Sequence, residues 1–357
     1  QVLDSAPVRY QVAACNECKT VTLWGPVGPR RKLRGHISKV AGVQFFPLGD
    51  RALTWSRDGA AMIWDTDSGQ TLRRHSHKAP VSCGRVFPRG DRVVTCSEDG
   101  VCAFWAPAPG KVLRVAGGGS VTGVEVFPQG DRVLSWGAQA VALVRDAATG
   151  EQTCRFRGHS SQINIAKVFP QGDKVITGSD DGRAIIWDAV RCGALHVLEH
   201  ARRVTEVAAL GGGDTVATIG IEQGVAIWSV SSGKRLRTLV AKSHWLIDLF
   251  SGIEPFPQGD LLATYNVEAV VVWNVTSGAV LQRFANTSDW TYGVVVSPGG
   301  DLLAKWGSSS VTVWDVWSGA KLQTLAESSS MCFIAIGLSA SLDPSGFGRG
   351  LSWRELP

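Results

Sequence analysis

The chain has 357 residues, 44% of them hydrophobic and 19% charged, with a formal net charge of +5. This is the composition of a soluble globular protein, too long for one ordinary core and about the right length for one closed ring of repeats. No run of about 18 apolar residues is present to cross a membrane as a helix, so membrane insertion is not expected.

The start, Gln1-Val2-Leu3-Asp4-Ser5, has neither the basic residues nor the apolar core of a signal peptide. It also lacks a methionine, so the chain reads as a fragment or a processed form. Eight cysteines are scattered rather than set in a compact framework, which predicts reduced thiols and an intracellular, cytoplasmic setting. Cys96 and Cys102 flank one tight turn and face each other across a hairpin, where small buried hydrophobes are expected.

A strand-ending tryptophan recurs at Trp24, Trp64, Trp105, Trp187, Trp228, Trp273 and Trp314, with Arg145 in the one missing slot. A period of about 40 to 45 residues with this strand pattern is that of a propeller repeat. Residues Arg9 to Leu33 read as three strands. Seven complete repeats follow, from His36 to about Ala326. The clearest copy starts at Gly158-His159, and Ile163 to Phe169 is its first strand. Pro170-Gln171-Gly172-Asp173 turns the chain into a second strand, Lys174 to Gly178. Ser179-Asp180-Asp181-Gly182 is a hairpin turn whose Asp-Gly pair supplies positive φ. Arg183 to Trp187 and Ala194 to Leu198 are the third and fourth strands. Four such strands make one blade. The first turn recurs as Phe46 to Asp50, Phe87 to Asp91, Phe127 to Asp131, Phe169 to Asp173 and Phe256 to Asp260. Looser copies run from Leu210 to Asp214 and from Ser297 to Asp301.

Gly-His at the start, Asp-Gly in the hairpin and Trp-Asp after the third strand resemble the WD40 repeat family over almost the whole chain. The resemblance implies an all-β propeller and leaves the partner open. It also implies structural tetrads within blades: His36, Thr54, Asp58 and Trp64; His77, Thr95, Asp99 and Trp105; His159, Thr177, Asp181 and Trp187. A fourth set has His200, Thr218 and Trp228, with Glu222 replacing the aspartate. The carboxylate orients the imidazole, and the hydroxyl links it to the indole N–H. Around Arg145, Gly117 and Gln139 stand where histidine and aspartate belong. The blades ending at Trp24, Trp273 and Trp314 also lack full sets.

Eight third strands predict a single domain, 1–357, with eight four-stranded blades. Residues 1–34 give the last three strands of a closing blade, 35–327 seven complete repeats, and 328–357 the first strand of the closing blade and a tail. Pairing the N- and C-terminal strands removes an open sheet edge. The alternative is seven blades plus a partial repeat, because Gly350-Leu351-Ser352-Trp353 competes with Gln11 to Ala14 for one strand position.

The His-Thr-Asp sets repeat, whereas a catalytic site is normally single and set in a cleft, so they read as architecture and no enzyme is expected. Cys15-x-x-Cys18 has no second pair, so no metal or other cofactor is expected. Arg30-Arg31-Lys32-Leu33-Arg34, Arg73-Arg74 and Arg202-Arg203 read as solvated outer charge, with an acidic-partner or nucleic-acid surface as the alternative. The triplets Asn274-Val275-Thr276 and Asn286-Thr287-Ser288 match a glycosylation pattern without a secretory context. Residues 243–256 carry an insertion with Trp245, and Asp289-Trp290-Thr291-Tyr292 replaces the usual Gly-His one blade later. By family resemblance these segments, with Lys39, Gln162 and Arg203, ring the top face. Trp55, Trp136 and Trp306 read as core.

The expected function is a non-catalytic scaffold, or a structural subunit of a larger assembly, binding a protein or peptide on the top face. The alternatives are a nucleic-acid or acidic-partner binder through basic rim residues, and a propeller enzyme. Nucleic acid is not the expected partner.

Overall fold

The repeated turn makes the blade. Pro47 follows Phe46 with its φ fixed by the ring, and Gly49 takes a φ of +72° that an L side chain resists. The Gly49 N–H donates to the Phe46 carbonyl at 2.8 Å, and the Phe46 N–H donates to the Arg51 carbonyl at 2.9 Å. The strands on either side, Val40–Phe45 and Arg51–Ser56, pair antiparallel. The same glycine N–H bond recurs at Phe87, Phe127, Phe169, Leu210, Phe256 and Ser297.

The computed structural model describes residues 9–339, apart from 17–18, 26–27, 109, 111, 117–118, 221–223, 241–250, 267–268, 286–290, 298, 308–309 and 327–330. Among these residues every regular element is a strand, and no helix is long and apolar enough to cross a membrane. Seven blades follow one another along the chain: blade 1 (residues 40–76), blade 2 (81–116), blade 3 (121–157), blade 4 (163–199), blade 5 (204–239), blade 6 (252–285) and blade 7 (293–326). Each is a four-stranded antiparallel sheet.

An eighth four-stranded sheet closes the ring. Arg9–Asn16, Thr20–Gly25 and Gly28–Arg34 come from the start of the chain, and the innermost strand, Met331–Ser339, comes from the far end. Tyr10 lies opposite Leu338, and Val12 opposite Ile336. The innermost strands touch in ring order, and Met331–Ser339 touches both Gly293–Val296 of blade 7 and Val40–Phe45 of blade 1. The two ends of the described chain thus meet in one sheet. The tail after residue 339, with Trp353, lies outside the described residues.

The apolar core is divided into layers between neighbouring blades. Leu53 and Ile63 of blade 1 pack with Val86 and Trp105 of blade 2, and Phe127 and Trp136 of blade 3 with Ile185 and Trp187 of blade 4. Middle strands are therefore buried on both faces and read as near-continuous apolar runs, such as Ala60–Trp64. Trp55 and Trp136 are buried in these layers as expected, while Trp306 is half-buried.

Each of these aromatics has a glycine opposite. Gly42 faces Trp55, Gly123 faces Trp136, Gly293 faces Trp306 and Gly252 faces Tyr265. A Cβ added at Gly123 would lie 2.2 Å from Trp136, and one at Gly42 2.1 Å from Trp55. The second-strand ring fills the volume that the first strand leaves vacant.

The expectation of reduced thiols is corrected. Cys96 and Cys102 stand directly opposite on adjacent strands and form a disulfide. A second disulfide joins Cys154, on the outer strand of blade 3, to Cys192, in a turn of blade 4. Opposed strand positions bring Cβ atoms within bonding range. The second pair is invisible to a search for local spacing because its members come from different blades. Cys83 is a buried free thiol opposite Cys96, and burial pushes it up to about 11.

Candidate functional site

The tetrads form where a threonine of the second strand can accept from the indole. In blade 1 the Trp64 Nε1–H donates to Thr54 Oγ1 at 2.8 Å, and Thr54 Oγ1 is 2.8 Å from His36 Nε2. His36 Nδ1 lies 3.0 Å from Asp58. The same carboxylate accepts from the backbone N–H groups of Ile37 and Ala60, both at 2.8 Å. Burial would raise Asp58, but these N–H groups and His36 outweigh it and hold the carboxyl below its usual range. Burial also lowers His36, against the pull of Asp58. Blade 4 repeats the set: Trp187 to Thr177 at 2.8 Å, Thr177 to His159 at 2.7 Å and His159 to Asp181 at 2.9 Å.

Blade 2 differs. Trp105, Thr95 and His77 are linked at 3.1 and 2.8 Å, but Ser97 stands between His77 and Asp99. Its hydroxyl donates to Asp99 at 2.5 Å and lies 3.1 Å from His77 Nδ1. Burial, with His75 beside it, brings His77 down to about 4. In blade 5 Thr218 joins His200 at 3.0 Å and Trp228 at 2.8 Å, and Glu222 lies outside the described residues. Blade 6 keeps a pair, with Trp273 donating to Thr264 at 2.8 Å. The nine-residue spacing of that pair, against ten elsewhere, is the signal that could have found it. In the closing sheet Ala14 holds the threonine position, and the buried Trp24 Nε1–H has no partner among the described residues.

These sets support the top face, where the segments leading into the innermost strands meet the hairpins between second and third strands. The Arg57 N–H donates to the Lys39 carbonyl at 3.1 Å, so both side chains leave the fold at one place. Blades 1, 2 and 3 enclose there a pocket of about 520 Å³. Val40, Val81 and Val121 form its apolar floor, and Lys39, Arg57, Glu98, Ser82, Ser120 and Thr122 its polar wall. Ser82 Oγ donates to the Val121 carbonyl at 2.8 Å and ties blade 2 to blade 3.

Of the residues expected on this face, Lys39 lines the pocket. Gln162 leads into blade 4, the blade after those of the pocket, where its Nε2 donates to Asp180 at 2.9 Å. Asn164 donates to Asp180 at 2.7 Å and to the Val204 carbonyl at 3.0 Å, beside the exposed Arg203. Tyr292 is exposed where the chain enters blade 7. Trp245, Asp289 and Trp290 lie outside the described residues. Arg57 and Glu98 escaped the sequence reading, although each directly precedes a tetrad aspartate.

Inside the ring, the innermost strands bring together Glu125, Lys167, Glu206 and Glu254. Lys167 Nζ lies 3.4 Å from Glu125. Burial pushes Glu206 and Glu254 up to about 7, against the pull of Lys167, and burial also raises the Tyr265 hydroxyl. The sequence reading missed this group. Among the described residues no three His, Cys, Asp or Glu side chains are placed to hold a metal ion.

Two stretches, residues 68–106 and 150–188, match the WD domain, G-beta repeat family. Each runs from the outer strand of one blade through the third strand of the next, and each contains the histidine, threonine, aspartate and tryptophan of one tetrad. No curated protein matches the chain in sequence. The chain is thus a ring of four-stranded blades in which two stretches are similar to the WD domain, G-beta repeat.

Proposed function

We propose that the protein is a non-catalytic interaction scaffold that takes a peptide or protein segment on its top face. The pocket between blades 1, 2 and 3 carries this reading. Its floor is apolar, and its wall offers Lys39 and Arg57 against Glu98 with hydroxyls between them, all at the ends of strands that fix their place. That combination suits a polypeptide with mixed side chains. Tyr292, exposed on the same face, is an aromatic anchor of the kind that concentrates binding energy. The two disulfides weigh against the reducing cytoplasm expected from the scattered cysteines.

The test is capture of partners from the native source by wild type and by Lys39→Glu/Arg57→Glu and Tyr292→Ala variants of unchanged melting temperature. Loss of one defined partner in the variants supports the top face. Retention of every partner overturns it. The runner-up, a proton-handling site in the channel, is favoured by Glu206 and Glu254. It predicts that Glu206→Gln/Glu254→Gln abolishes function while partners are kept.

A further inference from the structure

The outer strands carry a pattern visible only in the strand register. On each, one residue faces solvent opposite the middle of the third strand. In the closing sheet it is Lys32, opposite Thr22; in blade 1 Arg74, opposite Met62. In blade 2 it is Arg114, opposite Ala103, and in blade 3 Arg155, opposite Leu143. Four successive sheets thus place a cation at one level of the rim, and all four side chains are exposed. Arg34 and Arg157, two residues further along their strands, point the same way. No acid occupies a solvent-facing position of these four strands, and Arg74, Arg114 and Arg155 make no ion pair with any described carboxylate.

At blade 4 the character changes. The equivalent residue is Val197, 47% exposed, with Leu195 beside it, and blade 5 adds Leu236 at 54%. The rim therefore passes from four sheets with a cation at this level to one with Val197 there, while exposed leucines stand two residues earlier in blades 1, 4 and 5, at Leu72, Leu195 and Leu236.

We propose that this rim is a second docking surface, for an acidic polypeptide segment that continues into aliphatic residues. Arg74, Arg114 and Arg155 would receive its carboxylates, and Val197, Leu195 and Leu236 its apolar end. Guanidinium groups suit carboxylates because they offer forked, paired donors. A nucleic acid is the poorer fit. It has no use for the aliphatic residues, and no aromatic ring lies among the outward-facing cations to stack on bases. The rim surface lies apart from the top-face pocket and does not rest on it.

The experiment is fluorescence anisotropy with a labelled synthetic peptide, rich in Asp and Glu in its first half and in Leu and Val in its second. The full chain is compared with Arg74→Gln/Arg114→Gln/Arg155→Gln, Leu195→Ser/Val197→Ser and Lys39→Glu/Arg57→Glu, all checked for unchanged melting temperature. Loss of about tenfold or more in affinity is expected for the arginine variant, with a smaller loss for the aliphatic variant and none for the top-face variant. Absence of binding by wild type, or equal binding by the arginine variant, overturns the proposal. Tighter binding of an oligothymidine or of anionic vesicles than of the peptide overturns it as well.

Discussion

Trp24 and Trp64 hold the same place in their sheets and differ by one partner. Trp64 donates to Thr54, whereas in the sheet of Trp24 the threonine position is held by Ala14, and the buried Trp24 N–H meets no described acceptor. An unmade buried hydrogen bond costs about 1–3 kcal/mol, and a made one contributes about 1 kcal/mol net. Trp64→Phe should therefore lower unfolding free energy by about 1–2 kcal/mol in urea titration. Trp24→Phe should be neutral or stabilising in the same measurement. The tetrad members of blades 1 and 4 were legible in the sequence because residue types at fixed offsets specify them. The detour through Ser97 in blade 2 was not. Ser56 and Ser179 hold the same position but donate to backbone carbonyls instead, and the choice between these rotamers depends on tertiary surroundings.

Between elements, the turn that repeats along the chain does more than reverse it. The arginine after the turn aspartate stacks on the turn phenylalanine: Arg132 on Phe127 at 4.2 Å and Arg92 on Phe87 at 4.6 Å. Arg132 then donates to the Ala189 and Gly172 carbonyls of blade 4, both at 2.8 Å. Arg92 makes the corresponding bonds to Ala147 and Gly130 of blade 3 at 2.9 and 3.2 Å. Each clasp ties one blade to the next. Arg132→Ala should cost about 2 kcal/mol, and Arg132→Lys should recover little because it lacks the fork. Parallel urea titrations of the two variants decide this. Gly123→Val should be worse than either, since its side chain would have to displace the buried Trp136 ring. The turn itself was plain from Phe-Pro-x-Gly-Asp. The clasp was hidden because its acceptors are backbone carbonyls, which leave no trace in residue identity.

Across the whole molecule, stability is a sum over sheets and the contacts between them. The Cys154–Cys192 bond closes a separation of 38 residues, for which chain entropy predicts about 3–4 kcal/mol. Cys154→Ser/Cys192→Ser should lower the melting temperature, and a reductant that lowers wild type should then have less effect on the variant. Two opposed pH dependences also follow. His36, His77 and His159 are held below 6.5 when folded. Their contribution is present above 6.5 and lost as pH falls, for His77 down to about 4. Glu206 and Glu254 are raised from 4.5 to about 7. Their contribution is present below 4.5 and lost as pH rises to 7, with Lys167, Glu125 and Tyr265 as neighbours. Glu206→Gln/Glu254→Gln should gain on the order of 2 kcal/mol over wild type at pH 8, a gain that vanishes near pH 4.5. Seven consecutive blades could be read from period and turn. The channel carboxylates and Lys167 could not, because they come from the innermost strands of four successive blades and meet only when those blades pack side by side.

The closing sheet takes its innermost strand from the far end of the described chain. A ribosome delivers that strand after everything it must bridge. Through most of synthesis the emerging protein is thus an arc with two raw flanks, Arg9–Asn16 unpaired along one edge and blade 7 uncovered. Translation halted at residue 330 should yield a chain that aggregates. A separate peptide spanning 331–339, supplied during refolding, should restore soluble rings.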